Sequence, residues 1–485
     1  MTLLDKIFVK LGALTGLLAM LSNSAADRAR IVPNVVWIIA DDLGPELACY
    51  GYPDVATPNL DQLAREGTRY SHAFATSPVC SSSRTAFQSG LYQTSIGGHH
   101  HITRNKPVLS KEVPTVTGLM QSAGYFVSNG RGIPNDARLA KSGFNFAYNA
   151  RKFFDGADWS ERPEGQPFFA QVQISQPHRP FVKSQRARPN APIPPYYPVD
   201  SAVTKADWAN YLASIEVLDQ KIGTVVARLR KEGVLEETLI IVFGDHGRPH
   251  VRGKQWLYDG GLHVPLLVRW PGHVQAGGVD HRLVSLLDLM PTTLSAAGVA
   301  VPDLPGGNLL DFNWGGHSKL YAARDRCGDA IDRIRSIRTR KFKYIRNFRP
   351  ELPYLQHSGY KKLQYPVLTL MKVMKQDGRW DSPFMADRKP IEELYDLVAD
   401  PFEMHNLAAV SSFEETLAKF RADIEQWIDV SGDQGRVEEG DTVDIEALRE
   451  EKWRYYENGM KRRGLDPALS DSAYLDWWTT ELNVK

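Results

Sequence analysis

The stretch NVVWIIADDLG, residues 34–44, is an apolar run of strand length that stops at two adjacent carboxylates, Asp41 and Asp42. An apolar run without alternation belongs to a strand covered on both faces, as in a parallel sheet lying between helices. The pattern recurs along the chain. GYFVSNGRG (124–132) is a short apolar run ending in polar residues and glycine, and FFAQVQISQPHRPF (168–181) ends in His178 and Arg179. TLIIVFGDHG (238–247) ends in Asp245 and His246, and VPLLVRWPG (264–272) reads as a further strand.

Helices fit between these strands. TPNLDQLAREG (57–67) has Thr57 as a cap, Pro58 in its first turn and Gly67 as its stop. A longer helix is predicted over 206–232, with Trp208, Leu212, Ile215, Leu218, Ile222, Val225 and Leu229 at helical spacing and Gly233 closing it. Alternating strands and helices imply a doubly wound α/β fold, a large mostly parallel sheet flanked by helices. Ligands of such sheets bind outside the carboxyl ends of the strands, where this chain collects Asp41, Asp42, His178, Asp245 and His246.

Composition is ordinary for a globular chain of 485 residues, with 42% hydrophobic and 24% charged residues. The balance of 58 basic and 57 acidic side chains leaves +1, so no global field recruits nucleic acid or an anionic membrane. Any anionic ligand is caught locally. At the N-terminus Lys6 and Lys10 flank the start of LGALTGLLAML (11–21), and SNSAA (22–26) follows, a pattern that predicts a signal segment cleaved after Ala26. The alternative is a membrane anchor, but the run is shorter than the roughly 20 residues of a spanning helix. The expectation is a secreted or periplasmic protein with no stable membrane insertion. Cys49, Cys80 and Cys327 are odd in number and widely spaced, so they make no disulfide framework.

RPNAPIPPYYPVD (188–200) has too many prolines for a helix or a central strand and is expected to be an ordered surface loop near the site. From about residue 320 the texture changes. RIRSIRTRKFKYIRNF (333–348) alternates like an antiparallel strand pair, and EELYDLVADPFEMHNLA (392–408) precedes an amphipathic helix near 413–430. This predicts a smaller α+β domain on an antiparallel sheet, followed by a charged helix along the surface.

Two pairs carry the first chemistry. Adjacent residues of an extended strand point to opposite faces, but at a strand end the chain turns, and Asp41 and Asp42 can converge on one cation. Asp245 and His246 repeat the arrangement. Three carboxylates and an imidazole suit a hard divalent ion, calcium or magnesium. In TSPVCSSSRTAFQSG (76–90), Cys80 opens a helix and Arg84 stands one turn on, on the same face. The helix start favours an anion. Cys80 is there either a reduced, half-buried thiol beside a surface arginine or a nucleophile of lowered pKa.

These residues resemble the type I sulfatases of the alkaline phosphatase superfamily. The family signature is cysteine or serine, any residue, proline or alanine, any residue, arginine, and CSSSR (80–84) departs from it only at Ser82. NVVWIIADDLG, the segment from Thr57 through Tyr92, FGDHGRPHVRGKQWLYDGGLHVPLLVRWPG (243–272) and EELYDLVADPFEMHNLA stand in sulfatase order across most of residues 33–430. The resemblance implies an alkaline phosphatase-like fold and formylglycine formed from Cys80 by a maturation enzyme. It implies one calcium ion held by Asp41, Asp42, Asp245, His246 and residue 80. Hydrated formylglycine would attack sulfur, Arg84 and Lys254 would stabilise charge, and His178 would protonate the leaving atom. The implied domains are a catalytic one over 27–320, an α+β subdomain over 321–430 and an extension over 431–485.

One block departs from the family. Where many sulfatases carry Gly-Lys-Trp-His, this chain reads SNGRGIPND (128–136). Arg131 is expected to replace the lysine, and the run His99, His100, His101 to supply the imidazole, with His99 and His100 as substrate-binding residues. His250 and His263 are expected to stand behind the residues that touch substrate or to be structural. TSIGGHHH (94–101), AARDRC (322–327) and KYIRNFRPELPYLQ (343–356) most resemble the branch of heparan N-sulfatase. That implies a sulfated or sulfamated saccharide as substrate, with Trp159, Arg179, Tyr196, Tyr197 and Arg324 as further candidates for sugar contact. The alternatives are a phosphomonoesterase or phosphodiesterase of the same superfamily and a catalytically silent glycan-binding homologue.

Overall fold

Strand β1, Asn34–Asp41, has every residue buried. Val36, Ile38 and Ala40 enter one apolar core and Val35, Trp37 and Ile39 the other, which is why the run shows no alternation. Each large side chain so buried contributes about 1.5–3 kcal/mol. The computed structural model describes residues 32–101, 103, 105–437 and 445–484; the predicted signal segment, 1–26, lies outside the described residues. Residues 34–485 form one unit.

Around β1 lie β2 (Thr68–Phe74), β3 (Phe126–Gly130), β4 (Phe168–Pro177), β5 (Thr238–Gly244), β6 (His263–Arg269) and β7 (Gly278–Ser285). The sheet order is β3-β4-β1-β5-β6-β2-β7. β1 runs parallel to β4 and β5, β3 to β4 and β2 to β7, while β6 is antiparallel to both neighbours. The sheet is therefore mostly parallel. β2 and β7 went unpredicted because TRYSHAF and GVDHRLVS carry polar residues through their middles.

The helices that position the site are α1 (Pro58–Glu66), α2 (Cys80–Ser89), α3 (Val116–Ser122), α4 (Ala202–Lys231) and α5 (Leu289–Ala297). α1 starts on its proline and ends before Gly67 as expected. α4 begins four residues earlier than its predicted start at 206. α2 is buried along its whole length, so its serines and arginine must find partners inside the protein.

A second sheet joins β8 (Leu320–Arg324), β9 (Ile334–Arg338), β10 (Phe342–Asn347) and β11 (Glu392–Asp396) in the order β11-β10-β9-β8, antiparallel throughout. After β10 come two short helices, α6 (Gly359–Gln364) and α7 (Pro366–Gln376), and after β11 comes α8 (Glu414–Val430), whose Leu417, Phe420, Ile424 and Trp427 cover the sheet. The end of the chain forms two helices rather than one, α9 (Ile445–Arg462) and α10 (Asp471–Glu481). Leu363, Tyr456, Met460, Tyr474 and Trp478 pack together there. Among the described residues, no helix is long and apolar enough to cross a membrane.

Candidate active site

β1 and β5 are neighbours in register, Ala40 opposite Gly244, so Asp41, Asp42, Asp245 and His246 leave the sheet side by side. Asp42 sits at φ 67, a left-handed conformation uncommon for a non-glycine residue and held by its surroundings. This turn is what brings two successive carboxylates to one place. Asp245 fastens it, because its Oδ1 accepts from Asp42 N at 3.0 Å.

One donor atom each from Asp41, Asp42, Cys80 and His246 lie within 4.8 Å of one another. Asp245 stands beside this set. Its Oδ2 accepts from Arg84 Nε at 2.8 Å, and its Oδ1 is 3.8 Å from His246 Nε2. Two observations fit the group to a cation. Asp41 Oδ1 is buried without a hydrogen-bond partner, an orphan that folding does not normally leave. His246 Nδ1 lies 2.9 Å from Gly247 O, a backbone contact of the kind that orients metal-bound histidines, and turns Nε2 toward Asp42 Oδ1 at 2.9 Å.

Cys80 opens α2 beneath this cluster, its Sγ 3.3 Å from His246 Nε2 and 3.4 Å from Lys254 Nζ. Lys254 also donates to Asp42 Oδ1 at 2.8 Å. Burial opposes ionisation of Asp42, but Lys254, His178 and His246 outweigh it and hold the carboxyl well below its ordinary range. Burial works likewise against Lys254, and Asp42 and Cys80 drive its pKa well up. Lys254 is therefore a permanent cation beside residue 80. His178 Nε2 is 3.8 Å from Asp42 Oδ2, and its Nδ1 is 2.6 Å from Arg179 O.

Arg84 spans the floor, with Nη1 donating to Gln173 Oε1 at 2.7 Å. Ser82, where the motif departs from the family, is buried and donates to His99 O at 3.0 Å. It ties the histidine run to the helix. His99 and His100 meet in a tilted ring contact at 4.1 Å and do not line the cavity over Cys80. His101 does, and its pKa is lowered to about 3 by burial, then by Lys254 and Lys141.

The cavity holds about 310 Å³ and takes its walls from Cys80, Lys141, His178, Lys254, Asp329 and Tyr360, among others. Lys141 escaped the sequence reading. It donates to Asp41 Oδ2 at 2.7 Å from a loop without any motif, ten residues past Arg131. Arg131 donates to Asp136 Oδ2 at 2.5 Å and lines an adjoining cavity of about 270 Å³, together with Asp41 and Lys141. Of the two cations it is Lys141 that reaches Asp41, while Arg131 faces the adjoining cavity.

The candidates for sugar contact are elsewhere. Trp159 is buried under Arg228, Arg179 pairs with Asp207, Arg324 pairs with Asp332, and Tyr196 and Tyr197 pack in the core. The proline loop likewise contributes nothing to the cavity over Cys80. His250 lies among Trp208, Tyr211 and Phe181, and His263 stacks on Phe74, structural positions both. Cys49, Cys80 and Cys327 are free thiols.

The sulfatase family profile matches residues 33–299. The chain belongs to the sulfatase family. This sulfatase is a sulfuric ester hydrolase, 29% identical over 470 residues to an ulvan-active sulfatase of Formosa agariphila, covering 85% of this chain and 77% of that one. It is 26% identical over 466 residues to the human N-sulphoglucosamine sulphohydrolase, covering 81% and 89%. Its fold is shared with BT4656, solved with its substrate D-glucosamine-2-N,6-O-disulfate, at a TM-score of 0.59 and 18% identity over 83% of this chain and 98% of that one. The phosphonate monoester hydrolase of Agrobacterium radiobacter shares it too, at 0.59 and 21% identity over 82% and 96%. The fold alone thus does not separate sulfur from phosphorus chemistry.

Proposed function

We propose that this sulfatase removes sulfate or sulfamate groups from a saccharide through formylglycine made from Cys80 and one bound calcium ion. The observation that carries the reading is the position of Cys80 Sγ, at the start of a buried helix, beside Lys254, His246 and the orphaned oxygen of Asp41. The saccharide class comes from the relatives: ulvan, N-sulphoglucosamine and glucosamine disulfate all stand in their names.

Asp41, Asp42, His246 and residue 80 would hold the ion, with Asp245 beside them. It suits calcium in offering hard oxygen donors. Formylglycine, once hydrated, supplies the attacking oxygen, and the cation supplies positive charge at that oxygen. The remaining work falls to the chain. Lys254 and Lys141 offer ammonium groups to the sulfate oxygens, where charge grows in the transition state. Arg84 holds Asp245 in place through Nε and favours the ionised form of Asp41. Arg179 O accepts from His178 Nδ1, so His178 presents Nε2 to the cavity, placed to give a proton to the departing oxygen or nitrogen.

We further propose export to the periplasm or cell exterior after cleavage behind Ala26, and a division into a catalytic domain (27–320), an α+β subdomain (321–430) and an extension (431–485). A maturation enzyme that oxidises Cys80 is then the required partner. The test joins mass spectrometry of the Cys80 peptide, metal analysis and direct measurement of sulfate released from O-sulfated and N-sulfated sugars. An unmodified cysteine with two zinc ions per chain would mean a phosphatase. Binding of sulfated sugars without turnover by the matured protein would mean a silent glycan-binding homologue.

A further inference from the structure

We propose that α9 carries a subsite for the saccharide ring next to the sulfated one, with Tyr455 as its stacking platform and Lys452 as its hydrogen-bond donor. The inference rests on the saccharide reading above. Both side chains line the same cavity as Cys80, Lys254 and His178, although they stand in the extension, far along the chain from every residue of the catalytic floor.

Two glycines explain how α9 comes so near. A Cβ on Gly359, at the start of α6, would stand 2.9 Å from Lys452 O and 3.1 Å from Tyr456 Cβ. A Cβ on Gly459, one turn before the end of α9, would stand 2.5 Å from Leu363 Cδ1. Small residues at both ends of the crossing let the two helices approach closely, and the apolar cluster of Leu363, Tyr456 and Met460 holds them there. α6 itself begins with the cavity residues Gly359 and Tyr360, capped by Ser358, so the crossing fixes Lys452 and Tyr455 at the rim.

The chemistry of the rim differs from that of the floor. Tyr455 is 41% exposed, and among the described residues it has no hydrogen bond or ring partner, whereas Trp453 and Tyr456 on the same helix meet in a tilted ring contact at 5.3 Å. An exposed aromatic face at the mouth of a polar cavity is suited to the apolar face of a sugar ring. Lys452 and Asp329 face the same space, one donor and one acceptor of opposite charge, which together match vicinal hydroxyls rather than a second sulfate. A volume of about 310 Å³ is at the low end for a small-molecule site, so a longer saccharide runs out over Tyr455.

The experiment compares kcat and KM for a sulfated monosaccharide and a sulfated tetrasaccharide of the same terminal residue, in wild type, Tyr455→Ala, Tyr455→Phe and Lys452→Met. Calorimetry of tetrasaccharide binding to Cys80→Ala protein, with and without Tyr455→Ala, supplies a second readout. Tyr455→Ala is expected to lower the ratio of tetrasaccharide to monosaccharide kcat/KM about fivefold to tenfold, with KM carrying the change, as fits one aromatic stacking contact. Tyr455→Phe is expected to restore the ratio, and Lys452→Met to lower it about threefold to fivefold. Equal losses on both substrates, no loss on either, or failure of the phenylalanine variant to restore the ratio would overturn the subsite. Wild-type protein that releases no sulfate from either sugar would count against the saccharide sulfatase reading instead. In that case unchanged tetrasaccharide binding in Tyr455→Ala would overturn the subsite, and weaker binding would uphold it.

Discussion

Ser82 Oγ donates to the backbone oxygen of His99 at 3.0 Å, and a further contact to His100 O follows at 3.3 Å. The one residue by which the nucleophile motif leaves the family pattern is therefore the anchor of the histidine run. Ser82→Ala removes this buried hydrogen bond, worth about 0.5–1.5 kcal/mol. The expected outcome is a lower Tm and a raised KM, as the segment leading into the cavity residue His101 is loosened. Calorimetry and sulfate-release kinetics check it, and an unmoved Tm would mean that the tie holds nothing.

Lys141 and Arg131 make opposite predictions. Lys141 reaches Asp41 and the cavity, so Lys141→Ala is expected to lower kcat/KM by roughly tenfold to a hundredfold, toward the cost of losing one charged donor in an active site. Arg131 is held by Asp136, and Arg131→Ala is expected to change kcat/KM less than threefold. Steady-state kinetics of the two variants side by side decide between them. The reverse ranking would return the role to Arg131.

Asp41 Oδ1 is buried without a hydrogen-bond partner, 3.8 Å from Arg84 Nη2, and the proposed cation would supply one. Treatment with a calcium chelator is expected to abolish sulfate release and to lower Tm, since a ligand that binds only the folded state stabilises it. Added calcium restores both. Asp41→Asn should retain little metal on elemental analysis and show no Tm response to chelator, because a neutral oxygen replaces a charged one. A variant with wild-type metal content would place the ion elsewhere.

A pH effect arises away from the site. Glu403 is buried, its Oε2 accepting from Asp259 N at 2.8 Å and its Oε1 3.8 Å from Lys343 Nζ. Burial pushes its carboxyl up from 4.5 to about 7, with Lys343 opposing and Asp259 adding to the rise. A raised folded-state pKa means that the folded protein holds this proton more tightly than the unfolded chain. The stability from this group is complete below pH 4.5 and is lost as pH rises through about 7. Glu403→Gln is expected to flatten the fall of Tm between roughly pH 5 and 8, which thermal melts across that range measure. An unchanged slope would assign the dependence to other groups.

The strand tips were legible because a parallel strand buried on both faces cannot hide: its apolar run simply ends where the polar crevice begins, and Asp41, Asp42, Asp245 and His246 mark that edge. Cys80 and Arg84 were legible from helical spacing. Lys141 was not, because a loop residue carries no periodicity and its partner, Asp41, is a hundred positions away. That His101 rather than His99 or His100 lines the cavity goes with its backbone bond to Arg326 O, a long-range contact that no spacing announces. The aromatic candidates failed for a general reason, that most tyrosines and tryptophans of a large protein fill its core, as Tyr196, Tyr197 and Trp159 do here.

The crossing of α6 and α9 has a consequence for the order of biosynthesis. A ribosome delivers the nucleophile and the strand tips early and the helix beginning at Ile445 almost last, so the roof over residue 80 is still missing while most of the polypeptide is being made. For that whole interval the proposed maturation enzyme would meet an open face, which the finished rim would later narrow.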